Sequence, residues 1–399
     1  MISVQNFGAE NRVVVVGAGI VGLAHAYAFA RRGWAVTVVE RDLAAMSATV
    51  RNFGMVWPVG QPLDDRRGLA LESREIWLKI AREAGLWHRE CGSFHLAYHA
   101  DETAVIQELL ASETGAQIGE WQDADTVRSR CPGVRAGTGG RGGKLEGALW
   151  SPWELAVDPR RAAADIAEYL HREFGVEFRW GTSVSDVIVE SDRSTTVVTA
   201  TERLTARFAV ICPGSATDHG FGKLLASQGM RRCRLQMLRA KTAIPVGKHL
   251  CAGLTLLHYG SFADLNGLPA VRQRYATEWP GYAEAGIHLL VSQHGDGTLT
   301  IGDSHEYEEP FRPYLRESIF AMILDYFNTF LPIDGIEVVE RWDGVYGKHP
   351  NLPYLSLDHE GTPGPYGPVR IVGSAGGAGM TLSFGIGERE VAKMVGEAE

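Results

Sequence analysis

The sequence has few cysteines and no long apolar run, and both absences limit what the protein can be. Its five cysteines include no C-x-x-C pair, so we expect no disulfide framework and no metal site. No stretch approaches the run of about 20 apolar residues that spans a bilayer. Residues 1–10 show no signal-peptide pattern. We therefore expect a cytoplasmic protein without a membrane span.

Basic residues are also scarce relative to acidic ones. There are 39 lysines and arginines against 48 acidic residues, and the net charge is −9. Such a charge disfavours nonspecific binding to nucleic acid or to an anionic membrane, so we expect a small-molecule partner. Local cations would have to bind any anionic substrate. With 399 residues, 45% of them hydrophobic, the chain is long enough for two domains.

The glycine-rich turn after the valines at 13–16 is typical of a site that binds the diphosphate of a dinucleotide. Gly17 permits a tight turn, Gly19 lets the backbone approach the phosphates, and Gly22 lets the next helix pack on the strand. We expect that helix at about 20–32, with its unpaired amides and positive dipole end directed at the phosphates.

An acidic residue closes the second predicted strand, at 37–39. Glu40 is placed to accept hydrogen bonds from the hydroxyl groups of a ribose. Its charge would repel a 2′-phosphate, so NADP is disfavoured. This first motif leaves NAD and FAD equally open.

The rest of the chain alternates between helical and strand patterns. We expect helices at 67–84, 103–111, 159–174 and 317–330, and strands at 93–98, 176–181, 183–189, 208–212 and 369–373. From 231 to 291 we expect strands without long helices, and therefore a largely antiparallel sheet. The seven glycines within 133–147 predict either a surface loop or a phosphate-cradling loop.

Three apolar predicted strands end in glycine turns, at Gly17, Gly214 and Gly373. In a parallel sheet the carboxyl ends of the strands meet at one edge, where nucleotides bind. An NAD-binding domain would normally build this edge from one contiguous segment. Because these turns come from both ends and the middle of the chain, they favour a larger cofactor, FAD.

Together these motifs resemble the glycine oxidase, sarcosine oxidase and D-amino acid dehydrogenase (DAO) family of FAD-dependent oxidoreductases. The resemblance covers nearly the whole chain and depends on an ordered set of motifs: V-V-G-A-G-I-V-G-L, Glu40-Arg41, V-I-C-P-G-S, Arg234-Leu235-Gln236-Met237 and G-G-A-G-M-T-L-S-F-G-I-G-E. It implies an α/β fold with an added antiparallel sheet, in which a Rossmann-type FAD-binding domain is interleaved with a mainly antiparallel β substrate domain, as in glutathione reductase-like FAD folds. We place the FAD-binding domain at 1–85, 155–225 and 338–399, and the substrate domain at 86–154 and 226–337.

The resemblance also implies where FAD would bind, without a covalent bond. The helix that begins near Gly379 would face the isoalloxazine ring, where its amides and positive dipole end stabilise negative charge on the reduced flavin. The implied cofactor-binding residues are Gly17, Gly19, Ile20, Val21, Gly22, Glu40, Arg41, Ser47, Ala48, Arg51, Asn52, Phe53, Gly54, Val184, Cys212, Gly214, Gly376, Gly377, Gly379, Met380 and Thr381.

By the same resemblance, the reaction would be the oxidation of a C–N bond in a small anionic amine, either an aminophosphonate or an amino acid. A hydride would pass from the carbon beside the amine to flavin N5, and the imine would hydrolyse to an aldehyde or keto product. Either O₂ or another electron acceptor would reoxidise the flavin. Two alternatives stay open: an FAD-dependent 2-hydroxy acid dehydrogenase on the same fold, and a flavin-binding subunit of a larger complex.

The candidate catalytic residues include positions where the chain departs from the family pattern. Many relatives bind the substrate carboxylate with an arginine in a G-L-R-P-x-T-P-D segment, and here Tyr346 occupies that position. Lys348 or His349 would supply the missing cation, unless they cap a surface turn. Arg51 is a further candidate because its segment should pass the flavin, unless it contacts only phosphate or solvent. The segment 51–61 also resembles a subgroup suspected of acting on aminophosphonates, whose dianionic head needs several donors.

Other side chains are weaker candidates for the substrate pocket. His258 and Tyr259, in a predicted strand, would line the pocket or belong to the core, and Thr381 would lie beside the substrate. The remaining candidate histidines show no metal-ligand spacing and are expected to be structural or solvated: His288, His294 and His305.

Overall fold

The computed structural model of the protein describes residues 11–137, 140–217, 220–307, 309–359, 366–373 and 375–397. Its helices are α1 (Ile20–Ala30), α2 (Asp65–Ala84), α3 (Ala100–Ala111), α4 (Ala124–Arg130), α5 (Pro159–Phe174), α6 (Gly220–Ser227), α7 (Leu268–Glu278), α8 (Glu317–Phe330) and α9 (Gly379–Val395). Short 3₁₀ helices include Ala48–Val50, Gly253–Leu257 and Gly376–Ala378. Within these ranges, no helix is both long enough and apolar enough to cross a bilayer.

The strands are β1 (Arg12–Val16), β2 (Ala35–Val39), β3 (Met55–Val56), β4 (His88–Glu90), β5 (Ser93–Ala97), β6 (Glu120–Asp123), β7 (Gly147–Ser151), β8 (Leu155–Val157), β9 (Glu177–Arg179), β10 (Val184–Val189), β11 (Thr195–Thr199), β12 (Arg203–Ala206), β13 (Phe208–Ile211), β14 (Arg231–Thr242), β15 (His249–Cys251), β16 (Leu290–Gln293), β17 (Leu299–Gly302), β18 (Ile336–Lys348), β19 (Leu355–Asp358) and β20 (Val369–Gly373). They form two large sheets and two sheets of three strands.

A six-stranded sheet carries the glycine turns along one edge. Its strand order is β19-β20-β13-β1-β2-β9, and every neighbouring pair is parallel except β19 with β20. Val16 pairs with both Val39 and Ile211, so the turns that follow β1, β2 and β13 meet at the same edge. The predicted α/β fold with a Rossmann-type parallel sheet is confirmed.

Small residues let α1 and α9 approach one another closely. A Cβ added to Gly387 would lie 2.8 Å from the backbone of Ala24. At the beginning of the same helices, a Cβ added to Gly379 would lie 3.8 Å from Ile20 Cγ2. The two helix N-termini are therefore neighbours, beside the edge of the sheet that carries the glycine turns.

The second large sheet has eight strands, in the order β18-β14-β17-β16-β15-β5-β7-β6. All neighbouring pairs are antiparallel except β15 with β5, as the predicted fold class requires. The expectation that 231–291 contains no long helix is wrong, because α7 lies within it. Leu268, Val271 and Tyr275 are buried on one face of α7, and their spacing of three and four residues is a helical pattern.

We propose two interleaved domains, each built on one of the large sheets. The FAD-binding domain would take the segments that supply the six-stranded sheet, and the substrate domain those that supply the eight-stranded sheet. Strand β18 pairs with β14 along its length. The predicted boundary at 338 falls inside β18, so we propose to move it to the end of that strand.

Candidate active site

The first glycine turn is so tight that two of its positions require glycine. Gly17 has a φ of 103°, and a Cβ there would lie 2.5 Å from the carbonyl oxygen of Cys212. A Cβ on Gly22 would lie 1.8 Å from the carbonyl oxygen of Gly17. Both distances are far below van der Waals contact. The loop between β1 and α1 therefore keeps this shape only with glycine at both positions.

Two side chains from other segments accept hydrogen bonds from amides of this loop. Glu40 Oε2 accepts from the amide of Ala18 at 2.7 Å, and Oε1 accepts from the amide of Asp42 at 3.0 Å. Thr49 Oγ1 accepts from the amide of Ile20 at 2.9 Å. A carboxylate has about four lone-pair positions, so Glu40 can hold the loop and still accept a hydrogen bond from a ligand.

A cavity of 610 Å³ extends along the loop and reaches both helix N-termini and the eight-stranded sheet. This volume is in the ordinary range for a small-molecule site. Of the predicted cofactor residues, those on its wall are Gly17, Gly19, Ile20, Val21, Gly22, Glu40, Arg41, Ser47, Ala48, Arg51, Asn52, Phe53, Val184, Cys212, Gly214, Gly376, Gly377, Gly379, Met380 and Thr381. The glycine-rich segment 133–147 does not line this cavity in its described part, and 138–139 lie outside the described residues.

The walls of this cavity fit FAD. The glycine loop leaves the backbone of β1 and α1 open to a diphosphate, and α1 and α9 bring two helix N-termini, with their unpaired amides, to one cavity. Gly214 has a φ of 63°, and a Cβ added there would meet no atom within 4 Å, so this turn leaves open space along the cavity. The roles of the individual residues toward FAD stay predictions.

Gly54 is the predicted cofactor residue that is not on the cavity wall. It has a φ of 67°, and a Cβ there would lie 2.1 Å from the carbonyl oxygen of Val157. Its amide donates to Asn52 Oδ1 at 2.7 Å, while Asn52 Nδ2 donates to the carbonyl oxygens of Ala48 and Thr49. In this arrangement Gly54 shapes the turn that leads the chain past the cavity.

The N-terminus of α9 is tied to the segment that passes it. Thr381 Oγ1 accepts from the amide of Trp57 at 2.9 Å, and the carbonyl oxygen of Met380 accepts from Trp77 Nε1 at 2.7 Å. Thr381 is 2% exposed. Its hydroxyl positions Trp57 on the cavity wall, and the contact of Thr381 with substrate stays a prediction.

The guanidinium of Arg51 is engaged by protein atoms. Nε donates to the carbonyl oxygen of Met46 at 3.0 Å, and Nη1 donates to that of Asp343 at 3.3 Å. The Asp343 carboxylate lies 3.7 Å from Nη1 and also pairs with Arg234 at 2.9 Å. Arg51 lines the cavity, but these contacts weaken the hypothesis that it clamps a substrate anion.

The other three catalytic candidates reach the cavity wall from the end of strand β18 and the residue that follows it. Tyr346 pairs with Cys233 of β14, and its ring approaches Gly377. Among the described residues, no side chain pairs with the ammonium of Lys348. His349 Nδ1 accepts from the amides of Asn351 and Leu352 at 3.1 and 2.9 Å. His349 therefore caps a turn, which was the alternative to a role as the missing cation.

The interpretation of the candidate histidines needs one correction. His258 and Tyr259 follow the 3₁₀ helix Gly253–Leu257 and do not lie in a strand, although both line the cavity. His288 and His305, expected to be structural or solvated, stack or pack against His258 on the cavity wall. His294 lies apart from them, buried and bonded to Thr300.

The five cysteines are free and buried. Cys212 is the one that the sequence places beside the cofactor, and burial raises the pKa of its thiol. The same cause raises the pKa of Cys91 to about 12 and that of Cys233 to about 11. These thiols therefore stay protonated at neutral pH.

Two residues of the site, Thr49 and Asp303, are absent from the residues predicted from the sequence. Thr49 lies within a short 3₁₀ helix of no recognisable motif, yet it receives the first amide of α1. Asp303 comes at the end of β17, and its carboxylate reaches the cavity wall beside His288. For Asp303, an acidic residue directly after an apolar strand was a possible signal.

A model of the family described as FAD dependent oxidoreductase, DAO, matches residues 12–394 of this chain. A D-amino acid dehydrogenase 2 from Mesorhizobium japonicum is 25% identical over 259 residues, which cover 51% of this chain and 61% of that protein. A tRNA 5-methylaminomethyl-2-thiouridine biosynthesis bifunctional protein from Burkholderia cenocepacia is 27% identical over 333 residues, covering 81% of this chain and 44% of that protein. The matches thus span less than two thirds of these relatives.

Solved structures show the same fold at low identity. Glycine oxidase from Bacillus cereus gives a TM-score of 0.75 at 20% identity, over 97% of this chain and 98% of that chain. L-proline dehydrogenase from P. horikoshii gives a TM-score of 0.75 at 17% identity, over 98% and 96%. Since the family model extends over almost the whole sequence, the chain belongs to the DAO family of FAD-dependent oxidoreductases.

Proposed function

We propose that this protein oxidises the C–N bond of a small anionic amine. The observation that carries the proposal is the ammonium of Lys348, a cation on the cavity wall that no described side chain pairs with. An unpaired cation beside a flavin site is suited to hold the acidic group of a substrate. The naming of one relative as a D-amino acid dehydrogenase supports the same class of reaction.

FAD, when bound, supplies the hydride acceptor at its N5 atom. The chain would orient the substrate against the flavin and keep water away from the amine. Trp57, Tyr259 and Tyr346 give the cavity wall an aromatic character, and loss of water disfavours the charged form of an amine. The neutral amine is the form from which a hydride leaves the neighbouring carbon. The amides at the N-terminus of α9 would stabilise negative charge that develops beside them.

We propose an aminophosphonate as the substrate class. A tyrosine at position 346 replaces the bidentate arginine that suits a carboxylate. Lys348 acts as a point charge, and the hydroxyl of Tyr346 is a further donor on the same wall. A dianionic phosphonate can use several separate donors of this kind. The resemblance of segment 51–61 to a subgroup suspected of acting on aminophosphonates supports the same choice.

We propose that FAD is held without a covalent bond. Cys212 is on the cavity wall, but burial raises the pKa of its thiol, so the nucleophilic thiolate is disfavoured. Precipitation of the purified protein with acid should release all of the flavin into the supernatant. Flavin that stays with the pellet would contradict this part of the proposal.

The test of the function is an anaerobic titration of the purified yellow protein. We expect 2-aminoethylphosphonate, or its N-methyl or hydroxyl derivative, to bleach the absorption band of the oxidised flavin at about 450 nm. D- and L-amino acids of similar size serve as the comparison. An absence of bleaching with every amine of the panel would overturn the proposal, and bleaching by amino acids alone would overturn the substrate class.

The products separate this proposal from the two alternatives. Oxidation of an amine releases ammonia or an alkylamine, whereas oxidation of a 2-hydroxy acid releases neither. A flavin-binding subunit would be bleached only after its partner is added. Admitting air to the reduced protein then distinguishes the acceptors, since rapid return of the yellow colour indicates O₂ and slow return indicates an electron-transfer partner.

A further inference from the structure

We infer that His258, His288 and His305 form a binding site for a divalent metal of the zinc class on the cavity wall. Each residue offers one ring nitrogen as a ligand, and these three atoms lie within 4.8 Å of one another. All three residues line the cavity that fits FAD. Zinc prefers imidazole nitrogen, and three protein ligands leave a fourth position for water or substrate.

One of the three rings is oriented from behind by a hydrogen bond, as metal-ligating histidines usually are, and a second lies beside a carboxylate. His305 Nδ1 donates to the carbonyl oxygen of Gly286 at 3.0 Å, which leaves the lone pair of Nε2 for a ligand. His288 Nδ1 lies 2.9 Å from Asp303 Oδ1, although the two atoms are not aligned as a good hydrogen bond. The carboxylate of Asp303 is 3% exposed, and its charge would partly offset that of the metal.

The backbone holds the three residues together independently of any metal. Thr255 Oγ1 donates to the carbonyl oxygen of His288 at 2.7 Å, and the amide of His258 donates to the carbonyl oxygen of Thr255 at 3.1 Å. The amide of His305 donates to the carbonyl oxygen of Ala285 at 3.1 Å. A cluster fixed in this way loses little conformational freedom when it binds an ion.

The chemistry of the ring nitrogens favours a metal over direct binding of an anion. Neutral His305 already uses its proton toward Gly286, so its other nitrogen can only accept. An anion needs donors, whereas a metal ion needs such free lone pairs.

Lys348 lines the same cavity wall, and its positive charge opposes that of a metal. A dianionic substrate head between the ammonium and the metal would balance both charges. This role in substrate binding rests on the proposed function. The metal site itself does not, because it is built from protein ligands alone.

The experiment measures metal in the FAD-loaded full chain, produced without a polyhistidine tag. The protein is dialysed against a chelator and then titrated with Zn²⁺ by calorimetry, and its zinc content is determined by mass spectrometry. We expect about one zinc per chain, the complement of one three-histidine site. His288→Gln and His305→Gln should each abolish that binding, and Asp303→Asn should weaken it by about 10–100-fold.

His294→Gln is the matched control, because His294 is also buried near β16 but is bonded to Thr300 outside the cluster. It should bind zinc as the wild type does. FAD content and circular dichroism identify variants that fail to fold. If His288→Gln or His305→Gln fails to fold, zinc binding is measured instead on His258→Ala, which changes the third ligand on the cavity wall. Less than about a tenth of a zinc per chain, or wild-type binding by the cluster variants, would overturn the inference.

A second measurement tests the role of the metal in substrate binding. Zinc-loaded enzyme should show a flavin spectral change at a concentration of 2-aminoethylphosphonate at least about tenfold lower than chelator-treated enzyme, a difference of about 1.4 kcal/mol. If zinc-loaded and chelator-treated enzyme respond at the same substrate concentration, the metal has no role in substrate binding. Whether the metal site exists is still decided by the zinc content. Failure of all aminophosphonates to react would affect the proposed function, not the metal stoichiometry.

Discussion

Glu40 and Ala18 are joined by a 2.7 Å hydrogen bond from the backbone amide of the glycine turn to the carboxylate that closes β2. The carboxylate thus fixes the loop that borders the cavity. Glu40, which the sequence predicts to contact a ribose, therefore also stabilises the loop itself.

Replacing Glu40 should weaken FAD binding because the loop loses a charged acceptor. A hydrogen bond to a charged group contributes about 1.5–3 kcal/mol, so Glu40→Ala should raise the dissociation constant of FAD by about 10–100-fold. Quenching of flavin fluorescence on binding to apoprotein measures this constant. Glu177→Ala removes an exposed carboxylate and is the control. Unchanged affinity in Glu40→Ala would contradict the prediction.

Two helical glycines should respond to alanine in opposite directions. A Cβ at position 22 would overlap the carbonyl oxygen of Gly17, and such overpacking costs about 1–3 kcal/mol. Gly68, on α2, has open space around it, so Gly68→Ala should raise the free energy of unfolding by about 0.5–1 kcal/mol. Urea unfolding measures both. A Gly22→Ala variant as stable as the wild type would refute the close contact.

The sequence predicted the parts of the site that depend on local pattern. The valine run before Gly17 and the glycines after it specify a strand, a turn and a helix within a few residues, and the structure has them at those positions. The expectation of strands over 231–291 overlooks α7, in which Leu268, Val271 and Tyr275 are buried at a spacing of three and four residues. Its helical spacing was present in the sequence, but the neighbouring pattern outweighed it.

Contacts between distant segments could not be predicted from the sequence. His258, His288 and His305 are brought together by a turn and two strand ends, and their spacing along the chain carries no trace of this. The same holds for Thr49 and Ile20, 29 residues apart, which meet by a single hydrogen bond. Such contacts depend on strand order and register, which one sequence does not specify.

Lys348→Met should raise the KM for the anionic amine by about 10–100-fold with little change in kcat, because a charged contact is lost equally from substrate and transition state. Arg51→Met should change KM much less, since that guanidinium already binds the carbonyl oxygens of Met46 and Asp343. Lys241→Met, at an exposed position of β14, is the control. Steady-state kinetics measure the KM of each variant. A larger increase in KM for Arg51→Met than for Lys348→Met would contradict the assignment of Lys348 as the cation that binds the substrate.

Three buried histidines of the described chain, all outside the three-histidine cluster, should make the protein less stable in acid. Burial lowers the pKa of His95 and His249 to about 3, and that of His294 to about 4. In the unfolded chain these histidines bind a proton below their ordinary pKa of 6.5, whereas in the folded chain they stay neutral to a lower pH. Their contribution to stability is therefore complete above that pH and is lost progressively as the pH falls from 6.5 toward about 3.

His95 provides the clearest test, because it is 1% exposed and neither ring nitrogen has a hydrogen-bond partner among the described residues. Because the folded protein holds this ring neutral, His95 should lower the free energy of unfolding of the wild type by about 2 kcal/mol between about pH 7.5 and about pH 5. His95→Leu should lose about that much less over the same interval, measured by urea unfolding at both pH values. His171→Leu, on the exposed side of α5, should keep the wild-type slope, and an unchanged slope in His95→Leu would show that this ring is not held neutral by the fold.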